Sequence, residues 1–118
     1  MKDFRDLIVW AKAHQFTLSI YELTKQFPSD ENYGLTSQLR RSAASIPTNL
    51  AEVCGRGSDR ELARFCDIAM GSASEADYQL LLAKDLGYVD STTFETLYQQ
   101  LTEIQRMLRS FIQRLRSS

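Results

Sequence analysis

The chain has 118 residues, 43% hydrophobic and 25% charged, with a formal net charge of −1. A single domain of this size can bury roughly two-thirds of the surface its unfolded form exposes, which excludes a disordered tail and any need for disulfides or a metal to hold a core. Five Gly and two Pro leave few turns, excluding a many-stranded β-sandwich or barrel in favour of a few long helices. There is no run of about 18 apolar residues and no signal-peptide pattern, so the expectation is a cytoplasmic protein that does not enter a membrane. Cys54 and Cys66 stand twelve apart without a CxxC or a nearby His, which fits neither a zinc site nor a redox pair. They are expected to be reduced and largely buried.

The first helix is predicted from about Asp6 to Gln26, ended by Phe27-Pro28 because a residue before proline is pushed out of the helical region. Leu7, Ala11, His14, Leu18 and Tyr21 form one face at 3–4 spacing. A second apolar face of Val9, Ala13, Phe16, Ile20, Leu23 and Phe27 lies beside it, more than one bundle core needs. Val9, Phe16 and Ile20 are therefore expected at a subunit interface. The second helix, about Tyr33 to Cys54, carries Leu35, Leu39, Ala43, Ile46, Leu50 and Val53 on its core side. Pro47 inside it removes one backbone hydrogen bond and predicts a kink near Ala43–Ile46 within one helix.

Gly55-Arg56-Gly57 ends that helix, and Ser58 with Glu61 forms a capping box for the third, about Asp59 to Leu86. Small residues from Ala69 to Ala76 allow close helix approach, and Gly87 is the stop. Ile68, Tyr78, Leu82 and Leu86 make a second apolar face, of which Ile68 and Leu82 are expected at the interface. Asp90 or Thr92 caps a fourth helix reaching about Arg116, with Phe94, Leu97, Leu101, Ile104, Leu108, Phe111 and Leu115 spaced as a heptad seam. Four such helices joined by short loops predict one all-α domain spanning 1–118, an up-down-up-down antiparallel four-helix bundle with a kinked second helix.

The quoted residues carry a resemblance. Phe4-Arg5-Asp6-Leu7 with Val9-Trp10, Tyr33-Gly34-Leu35, Gln38-Leu39-Arg40-Arg41, Ser45-Ile46-Pro47 with Asn49 and Ala51-Glu52, Gly55-Arg56-Gly57-Ser58, and Ser72-Ala73-Ser74-Glu75 with Tyr78-Gln79 resemble the bacterial four-helix-bundle family encoded in intervening sequences of 23S ribosomal RNA genes. The match runs from residue 3 to about 89, and departs from the family's usual Ala-Glu-Gly at Ala51-Glu52-Val53. The resemblance implies a ring-shaped homopentamer, kinship with the accessory variability protein of diversity-generating retroelements, which binds nucleic acid and a reverse transcriptase, and no enzyme activity.

The polar stripe of the second helix flanks its core stripe, so Arg41, Asn49 and Glu52 are expected to form a buried network with Glu75 and Gln79, since a buried charge is tolerated only when paired. A polar pocket is the competing reading of the same residues. No cofactor, metal or small-molecule substrate is expected: a di-iron bundle needs Glu-x-x-His pairs, and the single His14 has Ala11 three residues before it. No base stands beside either cysteine, so nucleophilic catalysis has no support. Gly55-Arg56-Gly57-Ser58 precedes a helix N-terminus yet lacks a P-loop ending, which favours a turn over a phosphate cradle. Arg40, Arg56, Arg60 and Arg64 are expected to gather near the hairpin between the second and third helices and to meet phosphate, Arg40 pointing outward and Arg41 sitting at the core margin. The function expected is a non-catalytic homo-oligomer binding structured RNA or a nucleoprotein partner. An oligomeric adaptor that binds only protein is the alternative.

Overall fold

The computed structural model describes residues 3–54 and 57–117, and within them every regular element is helical. Asp3 opens a 3₁₀ turn over Phe4–Asp6 by accepting the Arg5 N–H at 2.9 Å. Leu7 then returns to extended backbone, so the first helix begins later than its apolar spacing suggests: α1 runs Ile8–Thr24. A second 3₁₀ turn, Ser29–Glu31, leads into α2, Leu35–Val53. α3 spans Asp59–Asp85, and its N-cap Ser58 accepts the Glu61 N–H at 3.1 Å. α4 spans Ser91–Ser117, capped by Asp90, whose carboxylate accepts the Thr93 N–H at 2.7 Å.

The α3–α4 turn needs its glycine. Gly87 has φ +84°, and around it Tyr88 N–H reaches Ala83 O while Gly87 N–H reaches Lys84 O, both at 2.9 Å. These two bonds satisfy carbonyls that a helix end leaves open. Tyr88 also ties the two loops at that end of the molecule together, donating its hydroxyl to Glu31 Oε2 at 3.0 Å and packing its ring against Phe27.

Helices adjacent in sequence pack side by side, and α1 closes the ring on α4, giving an antiparallel bundle of 45 × 23 × 20 Å. The core runs its length through Phe16, Ile20, Leu39, Ile46, Leu50, Leu80, Leu101 and Ile104. α2 continues unbroken through Pro47. The carbonyl that proline leaves without its amide partner, Ala43 O, instead faces Thr17 Oγ1 of α1 at 3.1 Å, and the same hydroxyl lies 2.8 Å from Ala13 O. Its one proton serves both carbonyls in turn. A helix defect in α2 is thus covered by a side chain of α1, which fixes the register of the pair.

The faces of α1 are the reverse of those expected. Val9, Phe16 and Ile20, placed at a subunit interface by the sequence, lie in the core with Ala13. Ala11, Leu18 and Tyr21, taken as core, are exposed. Thr17 and Thr24 explain the inversion. Each hydroxyl bonds the carbonyl four residues back, so these threonines enter the core as if apolar and widen the stripe on the Phe16 side.

Candidate functional site

Close packing of α2 on α3 is set by Ala43, Ala69, Ala73 and Ala76, all fully buried. Only small polar groups fit between such surfaces. Ser42 Oγ donates to Gln79 Oε1 at 2.6 Å, Ser45 and Ser72 hydroxyls meet at 2.8 Å, and Asn49 Nδ2 donates to Ser45 O and Oγ at 2.7 and 2.9 Å. Of the five residues assigned to a buried network, Asn49 and Gln79 lie in this ladder, while Arg41, Glu52 and Glu75 are exposed and stand outside it. The serines take the places given to charged groups, because a guanidinium is too large for an alanine-lined seam and would need a buried counter-ion. The sequence signal that was missed is Ser42 beside Ala43 and Ala44, and Ser72 within the small residues from Ala69 to Ala76.

The two arginines of α2 are also interchanged. Arg40, expected to point outward, is half-buried: its Nε donates to Thr24 Oγ1 at 2.7 Å and its guanidinium lies 4.8 Å from the Tyr21 ring centroid. Arg41 is the exposed one. Nor does Arg40 join Arg60 and Arg64. The contacts Ser42–Gln79 and Ser45–Ser72 set Arg40 near residue 80 of α3, roughly 30 Å along the axis from Arg60 at 1.5 Å per residue. Arg56 lies outside the described residues.

What does converge is a different set. Arg60 and Arg64 on the first turns of α3 share a groove with Arg116 on the last turn of α4. Arg116 is ion-paired with Asp67, and Arg64 stands over the Phe65 ring at 5.5 Å. This end of the bundle, taken as described residues 3–17, 44–72 and 103–117, holds eight Lys and Arg against seven Asp and Glu. The other end, residues 18–43 and 73–102, holds four against eight. The near-neutral total conceals an uneven distribution, with the acidic excess at the end away from these arginines.

The Cys66 thiol is pushed up to about 12, chiefly by burial, and burial likewise raises Cys54, whose Sγ contacts Leu50 O. A thiol held in its neutral form is a poor nucleophile. His14 is stacked on Trp10, ring centroids 5.0 Å apart. Among the described residues no three His, Cys, Asp or Glu side chains are grouped to hold a metal, and no helix is long and apolar enough to cross a membrane.

On the outer side of α3, Ile68 and Gly71, then after the exposed Glu75 Tyr78, Leu82 and Leu86, share one helix face. Ile68 is 42% exposed, Tyr78 62% and Leu86 50%, with Leu82 half-buried beside them. Nothing stands within 4 Å of where a Gly71 side chain would begin. Comparison with known proteins places this architecture. A family model described as 23S rRNA-intervening sequence protein matches residues 5–110. The crystal structure of a protein of unknown function from the S23 ribosomal protein family of Bacteroides thetaiotaomicron is similar, with 26% identity and a TM-score of 0.79 over 89% of this chain and 98% of that one. No curated protein matches the chain.

Proposed function

The chain belongs to the 23S rRNA-intervening sequence protein family, and we propose that it is a non-catalytic homo-oligomer whose arginine end binds structured RNA. The observation that carries this reading is the outer stripe of α3. Ile68, Tyr78, Leu82 and Leu86 share an outer face of α3, interrupted by Gly71 and the exposed Glu75, and all but the half-buried Leu82 are exposed. Monomeric proteins rarely expose such strips without a partner, and in a ring a different surface of the neighbouring copy covers them. The expected stoichiometry is five, as the family resemblance implies. Repetition of Arg60 and Arg64 around a ring would let weak phosphate contacts act together through effective concentration. With a buried Cys66 thiol, a half-buried Cys54 and a stacked histidine, the reading assigns no turnover.

Light scattering at micromolar concentration tests the assembly: a mass several times 13.5 kDa is expected, and Ile68→Glu should lower it while the helical circular dichroism is retained. A stable wild-type monomer would overturn the oligomer. RNA binding is tested separately by titrating a structured RNA from 50 to 200 mM salt. Arg60→Ala/Arg64→Ala should weaken binding and flatten the log–log salt dependence by roughly 1–2, about one phosphate contact per arginine. Equal binding by both proteins, or none at the lowest salt, favours the protein-only adaptor.

A further inference from the structure

Far from Arg60, an open groove of about 700 Å³ runs along the outer side of α2 beside Tyr21 of α1. Its lining includes Tyr33, Thr36, Ser37, Arg40 and Arg41, and no Asp or Glu. Tyr33, on the turn before α2, is 99% exposed, an aromatic face held wholly in solvent. Arg41 has no hydrogen bond or ion pair among the described residues. Arg40 is already fixed by Thr24 and Tyr21, so its charge is positioned before any ligand arrives.

Two features at the start of α2 lack an acceptor. Thr36 and Ser37 are the second and third residues of α2, where backbone N–H groups have no carbonyl to reach and the helix dipole favours an anion. Thr36 is only 5% exposed, and its Oγ1 is the one buried side-chain polar atom among the described residues with no hydrogen-bond partner. A mid-sized hydroxyl is normally satisfied when buried. Glu31 meets only part of this demand: its carboxylate accepts the Leu35 N–H at 3.2 Å and the Tyr88 hydroxyl at 3.0 Å. Its charge opposes an anion near α2, and the guanidiniums of Arg40 and Arg41 offset it.

An exposed aromatic face, free hydroxyls and amides, and an unpaired guanidinium together match a planar ring carrying a phosphate. We propose that this groove binds one nucleotide unit, its base stacked on Tyr33 and its phosphate held by Arg41, Ser37 and the first amides of α2. The site is separate from the arginine end and stands whether or not that end binds RNA.

Calorimetric titration with adenosine monophosphate, adenosine, inorganic phosphate and a short single-stranded oligonucleotide tests the site. Adenosine monophosphate should saturate at one per chain, with adenosine and phosphate each about tenfold weaker or more. Tighter binding of the oligonucleotide identifies a strand as the source, and equal or weaker binding identifies free nucleotide. Tyr33→Ala and Arg41→Gln should each weaken binding about tenfold, and Arg60→Ala/Arg64→Ala should leave it unchanged. Absence of saturable binding, or binding indifferent to both substitutions, overturns the proposal. A loss of oligomer mass in Tyr33→Ala or Arg41→Gln overturns it too, assigning the groove to a contact between subunits.

Discussion

Phe16→Ala is expected to remove about 3–5 kcal/mol of stability, the range for deleting a buried aromatic ring. Small domains are stable by roughly 5–15 kcal/mol in all, so a large part of the margin would go. Phe16 is fully buried beside Ile20 and Leu39 in the middle of the bundle. Phe16→Glu should go further and abolish cooperative unfolding, because a carboxylate there finds neither water nor a counter-charge. Urea denaturation followed by circular dichroism measures both. The contrast with Ile68→Glu is informative, since both substitutions put a carboxylate on a residue the sequence assigns to a subunit interface. The structure predicts that one unfolds the chain and the other only separates chains. A Phe16→Ala protein with unchanged stability and reduced mass would return Phe16 to the interface.

The two ends of α3 and the start of α4 were legible because each is fixed by local chemistry. Ser58, Asp90 and Gly87 satisfy helix termini through their own side chain or backbone, and such signals act within one turn. Faces were harder to read wherever two helices compete for one stripe. On α1 the apolar rows lie side by side, and composition alone gives neither priority. The deciding feature is that Thr17 and Thr24 bond back to their own helix and so cost little when buried. For Arg40 and Arg41 the angle itself was informative. At about 100° per residue, Arg41 lies roughly 200° from Leu39, across the helix from the core, whereas Arg40 lies beside the stripe. Which neighbour Arg40 would meet depends on the side on which α1 packs, and the sequence of α2 alone cannot supply that. The same dependence on packing scattered the expected arginine cluster. Residues at one end of α2 and of α3 are close in sequence across a hairpin, but Arg40 is too many turns from that hairpin to share its surface.

The pairing of Thr17 with Pro47 makes the last prediction, and it concerns coupling rather than a single cost. Pro47 has no N–H to give Ala43 O, and both Ala43 and Pro47 are buried away from water. Thr17 Oγ1 supplies the donor from α1 at 3.1 Å. Thr17→Val keeps the side-chain shape and removes that donor, so a buried carbonyl loses its partner at a cost of about 1–3 kcal/mol. Pro47→Ala restores the amide within α2 and relieves the penalty of a proline inside a helix. In the Pro47→Ala background the carbonyl has an intrahelical donor, and Thr17→Val should then cost about 1 kcal/mol less than it does alone. Urea unfolding of the four proteins gives this coupling directly, as the departure from additivity in a double-mutant cycle. Equal costs for Thr17→Val in the two backgrounds would mean that Thr17 contributes only through Ala13 O and its own packing. A coupling near the expected size would show that α1 carries a hydrogen bond that α2 cannot make for itself, so that the proline in α2 selects its neighbour's register at the expense of its own ladder.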